Sequence, residues 1–186
     1  MIIPRRRKLF VKILVLVISL SITTAGLVLT ISTIEHVEVM KKDLIREGVI
    51  LAKIASQSIE AGYTIRVWPF ETLKQISESE YVLFLWVVKP DGTIHIATNA
   101  EMWGKRVNTT TLNTNETIVK DSFSPQGNEK IKLIIQPLNI KDSGEHWLLY
   151  LGLSLKPINN YVRKMIFGNF ISFIIVIILG ALVSFH

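Results

Sequence analysis

Hydrophobic positions fall into two long unbroken runs near the ends of the chain, with a mixed pattern of shorter period between them. Residues 13–34 carry no charged side chain, and neither do residues 166–185. As helices these runs would extend about 33 Å and about 30 Å, enough to cross a hydrocarbon core. Asn169 and the scattered Ser and Thr are tolerable there, because amides and hydroxyls bond a helix carbonyl or a neighbouring helix. The pattern predicts transmembrane helices over 13–34 and 165–186. A cleaved signal peptide is the rival reading of the first run, with Thr23-Thr24-Ala25-Gly26 as the cleavage site. The run continues to Ile34, beyond the h-region of about 7 to 15 residues that such peptides use, which favours an uncleaved anchor.

Residues 35–61 contain no proline and one glycine, with apolar positions at Val37, Met40, Leu44, Leu51 and Ile54 and an offset set at Ile45, Val49, Ala52 and Ile59. This spacing predicts a helix with a wide apolar face, continuous with the first membrane helix. Either one stripe covers a sheet while the other meets a partner chain, or the whole face serves one core. A short helix over 70–79 would carry Leu73 and Ile76 on one side. The period then changes. Tyr81-Val82-Leu83-Phe84-Leu85-Trp86-Val87-Val88 is a β-branched and aromatic run typical of a strand buried on both faces. Lys89-Pro90-Asp91-Gly92 is a type I turn signature, and the alternating residues 93–98 form the partner strand of a hairpin.

Residues 99–107 read as a loop and 108–115 as a polar surface excursion. Three more strands are predicted at 116–121, 130–136 and 146–155, separated by the turns Ser124-Pro125-Gln126-Gly127 and Lys141-Asp142-Ser143-Gly144. The element order points to an α+β domain with a five-stranded antiparallel sheet and helices on one side. The chain divides into a basic N-terminus (1–12), a membrane helix (13–34), an outer domain (35–164) and a second membrane helix (165–186).

Charge changes one part of this picture. The formal net charge is +6, yet five of the 21 basic residues (Arg5, Arg6, Arg7, Lys8 and Lys12) precede the first apolar run. The other sixteen lie between Glu35 and Lys164 with all fifteen acids, so that segment carries 16 minus 15, or +1. This excludes an electrostatic footprint for nucleic acid. The basic cluster instead orients the protein, holding both termini in the cytoplasm and residues 35–164 outside the plasma membrane, in contact with lipid only through the two spans. Cysteine is absent, so the outer domain stands on packing without disulfides or thiolate metal sites.

The hairpin turn Lys89-Pro90-Asp91-Gly92 followed by Ile94, the later Met102-Trp103-Gly104-Lys105, and Gly152-Leu153-Ser154-Leu155-Lys156-Pro157-Ile158 running into a membrane helix resemble the extracytoplasmic PAS-like sensors called Cache domains. The resemblance covers about residues 35–164. It implies a single Cache module between two membrane helices, as in sensor histidine kinases of two-component systems and in chemoreceptors. It also implies a small-molecule ligand, a homodimer with a four-helix membrane bundle, and signalling by displacement of the membrane helices. The sequence departs from the family after His186, where a coupling and an output domain would be expected. The alternative is a membrane-anchored protein-interaction domain without ligand or output.

No catalytic constellation is present. The ten glycines are too dispersed for a phosphate-cradling loop, and His36, His95, His146 and His186 are too far apart in sequence for a local metal site. No cofactor is expected, and an enzyme ranks third. For binding, Arg66 beside Trp68, together with His95, Lys105 and Arg106, are the candidates to hold a small anionic or zwitterionic ligand. In strand alternation His95, Thr93 and Ala97 oppose Ile94 and Ile96, and His146, Tyr150 and Ser154 oppose Trp147, Leu149 and Leu151. That polar face is expected to meet water, the alternative being a ligand cavity. Trp86 and Trp147 are assigned to the core.

Overall fold

A computed structural model of the chain describes residues 5–107, 115–125, 127–140 and 146–185. Helix α1 spans Arg5–Ile65 without a break, and α2 follows at Phe70–Ser77. Strands β1 (Val82–Val88) and β2 (Ile94–Ala97) precede a short 3-10 turn at Ala100–Met102. Strands β3 (Ile118–Phe123), β4 (Lys130–Asn139) and β5 (His146–Ser154) lead into α3 (Lys156–Phe185). Most of the polar excursion expected at 108–115 and all of the turn expected at 141–144 lie outside the described residues, as does Gln126. The chain forms two compact units, one of Lys41–Pro157 and the other of the segments on either side of it.

In the second of these units the hydroxyls of the apolar helices are satisfied on their own backbone. Thr23, Thr30 and Thr33 donate to the carbonyls of Ser19, Gly26 and Leu29 at 2.9, 2.8 and 2.7 Å, and Ser172 donates to that of Gly168 at 3.0 Å. In hydrocarbon this removes most of the cost of carrying hydroxyls. Among the described residues, α1 is the helix long and apolar enough to cross a membrane, by length and composition.

The unit Lys41–Pro157 is built on a five-stranded antiparallel sheet of order β2-β1-β5-β4-β3. Both faces of the sheet are buried. On one, Leu85, Val87, Ile134, Leu138, Leu149, Leu151 and Leu153 pack beneath α1. The residues that α1 turns inward are Leu44, Gly48, Ala52, Ala55 and Ile59, while Ile50 and Ile54 remain 53% and 43% exposed. The core-facing stripe of α1 is therefore mostly small, and a Cβ added at Gly48 would run into Leu153 and Ile134. At Gly48 the tips of Leu153 and Ile134 reach the helix backbone itself. Glu60 adds a polar tie, accepting the Asn139 N–H at 2.7 Å.

The hairpin turn forms as expected and carries an extra feature. Gly92 N–H donates to the Lys89 carbonyl at 2.9 Å and Gly92 has φ +84°, while Lys89 N–H donates to the Thr93 carbonyl at 2.9 Å. A type I turn followed by a left-handed glycine is the usual three-residue hairpin, and only glycine adopts that last position without strain. Asp91 accepts from the Thr93 N–H and hydroxyl at 2.9 and 2.8 Å, and these bonds hold its carboxyl below the ordinary carboxylate range.

On the opposite face of the sheet Phe84 and Trp86 stack with ring centres 4.2 Å apart. Phe84 lies over Gly152 of the neighbouring strand, its register partner. A Cβ at Gly152 would collide with the Phe84 ring, and that ring is pinned by Trp86 and buried to 5% exposure. Gly152→Ala is accordingly expected to destabilise the domain by about 1–3 kcal/mol through overpacking. Chemical denaturation checks this. A paired Gly152→Ala, Phe84→Ala variant should show coupling, because the smaller side chain at 84 removes the collision.

Candidate functional site

The face of the sheet turned away from α1 is roofed. The chain from residue 98 crosses it, and Met102, Val107 and Ile118 pack against a cluster that includes Trp86, Val88, Ile94, Ile135, Leu148 and Tyr150. The expectation that the face carrying Tyr150 and Ser154 meets water is overturned: the two are 6% and 4% exposed. A second antiparallel pairing explains why. The Gly104 N–H donates to the Ile94 carbonyl at 2.8 Å, the Ile94 N–H to the Lys105 carbonyl at 2.9 Å, and the Val107 N–H to the Gly92 carbonyl at 2.9 Å. Residues 104–107 thereby run beside the outer edge of β2 and satisfy backbone groups that an edge strand would leave open. The roof is anchored at its other end by the Trp103 indole, whose N–H donates to the Ala97 carbonyl at 2.8 Å.

Two polar groups in the roofed face have consequences. Burial pushes the Tyr150 hydroxyl above its ordinary range. The Trp86 indole N–H is buried and has no hydrogen-bond partner among the described residues. A buried donor left unpaired costs about 1–3 kcal/mol, which makes this position one where a ligand acceptor would be stabilised.

A bulge decides where His95 points. Val87 pairs with Ile96 and Val88 with Ile94, so His95 is the extra residue between them. Ile94 and Ile96 consequently sit on opposite faces, contrary to the simple alternation expected. The His95 ring lies edge-on to Trp147 at 5.0 Å, and Trp147 also meets Tyr63 of α1 at 5.7 Å and the Lys89 ammonium at 5.6 Å. His95 thus belongs to an aromatic group on the helix side of the sheet. Its pKa is pushed below the ordinary value, first by desolvation and second by the Lys89 charge.

The four candidate cations are all exposed and are not gathered into one pocket. Lys105 stands beside the roof, its Nζ 3.9 Å from the Met102 sulfur. Arg106 is bridged to Thr93 through the backbone. Arg66 ends α1 with φ +56°, its N–H donating to the Tyr63 carbonyl at 3.4 Å and the Val67 N–H to that of Gly62 at 3.0 Å. This is a helix-terminating turn with arginine in the left-handed position that glycine favours. The reversal brings Trp68 onto Tyr63 at 5.5 Å. Trp86 is the site residue that sequence reasoning assigned to packing alone, while Lys89 belongs with Trp147 on the helix side.

No protein-family model matches the sequence, and no curated protein matches it. Among solved structures, the sensor domain of E. coli DcuS superposes with a TM-score of 0.51 at 12% identity, over 66% of this chain and 96% of that one. The domain has a sensor-domain fold. Two further sensor structures align more loosely. The ligand-binding domain of Mlp24 with asparagine gives a TM-score of 0.47 at 14% identity, covering 75% of this chain and 62% of that one. The sensory domain of the Campylobacter jejuni chemoreceptor Tlp3 with isoleucine gives 0.44 at 16% identity, covering 78% and 64%. At these identities the likeness is one of fold.

Two measurements check the geometry of this sensor fold. His95 is expected to titrate below 6.5 by NMR, and Lys89→Met should recover only part of the shift, because desolvation is the larger cause. Since the unfolded chain then takes up the proton first, the His95 contribution to stability is complete above the ordinary histidine range. It declines as pH falls through 6.5 and levels off below the folded-state midpoint. Arg66→Gly is expected to stabilise the domain by about 1 kcal/mol or less, the left-handed strain relieved exceeding the added chain entropy. Arg66→Ala, which keeps a Cβ, should give no such gain in thermal unfolding.

Proposed function

We propose that this chain is the ligand-sensing input module of a membrane receptor of the sensor histidine kinase class, itself without catalytic activity. In this reading α1 and α3 both cross the plasma membrane, the termini are cytoplasmic and residues 35–164 lie outside. The observation that carries the reading is the roofed sheet face, where the buried Trp86 N–H lacks a partner next to Tyr150. A ligand acceptor at that donor would remove the cost of leaving it unpaired. The sensor-domain fold supports the same reading.

The ligand is a small anion or zwitterion. An oxygen of its acidic group accepts the Trp86 N–H, and Lys105, standing against Met102 of the roof, supplies the counter-charge. Arg106 flanks Lys105, whereas Arg66 and His95 serve the α1 terminus and the Trp147 group. Signalling requires that the ligand favour one arrangement of the membrane helices by a differential free energy. A homodimer is supported by Ile50 and Ile54, which stand one turn apart on α1 and are exposed. The same pair is what a membrane-anchored interaction protein would use, and this is the second reading.

Calorimetry of the full chain in lipid nanodiscs against a panel of organic acids and amino acids tests the proposal. Binding of at least one class is expected, weakened about tenfold or more by Trp86→Phe, which keeps the ring and deletes the donor, and by Lys105→Ala. Absence of binding across the panel, with crosslinking through cysteines placed at 50 or 54, would move the interaction reading ahead.

A further inference from the structure

On the helix side of the sheet, between α2 and strand β2, lies a groove of about 240 Å³. The sheet contributes Leu85 and Ile96 to it and α2 contributes Leu73 and Lys74, while the Trp68 and Trp103 rings complete its apolar lining. Both indoles are held in place. Trp103 is fixed by its bond to the Ala97 carbonyl, and Trp68 packs edge-on between Tyr63 at 5.5 Å and Phe70 at 6.3 Å. Aromatic rings nonetheless stay open to solvent here, Trp103 being 57% and Phe70 70% exposed. Rigid, exposed aromatic surface around a concavity is the composition of a ligand site rather than of a solvated rim.

The polar atoms of the lining narrow the ligand. The Ser77 hydroxyl donates to the Lys74 carbonyl at 2.8 Å, the Thr98 hydroxyl oxygen receives the Leu85 N–H at 3.3 Å, and the Trp103 N–H is already committed. Lys74 is the charged residue of the lining. Its contact with Glu78 is 3.9 Å long between two exposed groups, an i,i+4 pair that holds it weakly. A guest must therefore be apolar over most of its surface and carry one anionic acceptor. An amino acid is disfavoured, since its ammonium would meet no carboxylate in the lining. The volume, at the small end for ligand pockets, suits one ring or a fused pair.

We infer that this groove binds a small aromatic carboxylate, its ring against Trp68 and Trp103 and its carboxylate on Lys74. The site is distinct from the roofed face and does not depend on the function proposed for that face. The test uses the full chain in lipid nanodiscs, with empty nanodiscs as the blank, and titrates phenylacetate and indole-3-acetate by ligand-observed NMR. Saturable binding with Kd below about 1 mM is expected, with phenylacetamide and L-phenylalanine about tenfold weaker or more. Lys74→Met, which keeps the alkyl stem, should remove the preference for phenylacetate over phenylacetamide, and Trp103→Ala should weaken both. If Trp103→Ala does not fold, Phe70→Ala at a highly exposed position serves as the aromatic variant. The inference is overturned if neither acid binds saturably, if L-phenylalanine binds as tightly as phenylacetate, or if Lys74→Met leaves the preference intact.

Discussion

Strand β5 is hydrogen-bonded along both edges, to β1 and to β4, and every residue from Trp147 to Ser154 is buried. A strand in that position buries its side chains on both faces, and its register fixes that of the whole sheet. At its C-terminal end the polar atoms are paired. The Ser154 hydroxyl donates to Glu129 and its oxygen receives the Lys156 N–H at 3.1 Å, which joins the end of the strand to the first turn of α3. Gly152 leaves room for Phe84, and Phe84 in turn supports Trp86. The unpaired Trp86 donor is thus set in place by a glycine on the adjacent strand.

The same strand places the two indoles of the sheet on opposite sides. Trp86, paired with Tyr150, faces the roof, while Trp147 faces α1 and gathers Tyr63, His95 and Lys89 around it. The Trp147 N–H is also buried without a partner among the described residues, but its surroundings differ. His95 and the Lys89 ammonium stand close to its ring, and the His95 pKa is lowered first by desolvation and second by the Lys89 charge. Around Trp147 the Tyr63 and His95 rings and the ammonium already pack against the indole, whereas around Trp86 the neighbours are apolar side chains and the Phe84 ring.

Much of the domain's element order was legible because β-branched and aromatic runs alternate with turn residues whose chemistry is local. The Lys89-Pro90-Asp91-Gly92 turn folds by bonds within five residues, so sequence spacing contains the answer. What escaped depends on long-range pairing. The pairing of Ile94 with Lys105 and Gly104 converts a loop into a roof, and nothing in the residues 99–107 by themselves announces it. The bulge at His95 breaks the period of two on which the assignment of faces rested. Arg66 looked like a ligand cation beside a tryptophan, and its left-handed φ shows a helix terminator in a residue type that ordinarily avoids the position. Its side chain remains open for binding, but its backbone has a structural task.

Helix α1 shows a periodicity that holds in part, since Leu44, Ala52 and Ile59 of the expected stripes are buried and Ile54 is not. What the large apolar residues did not announce is that Gly48, Ala55 and Ser56 are buried between them, while Ile54 faces outward. Hydrophobicity scales weight a face by its large side chains, whereas a small residue on a helix can be buried because side chains of the sheet fill the space above it, as Leu153 and Ile134 do at Gly48. Leu44 and Ile59 are buried at either end of this stretch, Leu153 and Ile134 reach the backbone at Gly48, and Glu60 with the Asn139 N–H supplies a polar tie near the helix end. A translation of α1 over the sheet would carry a residue with a Cβ onto Leu153 and Ile134, so the Gly48 notch fixes the helix in one position along its axis. In a receptor, a helix held this way would move with the sheet as one body, and a ligand would have to supply through its differential binding energy whatever a change of its position costs.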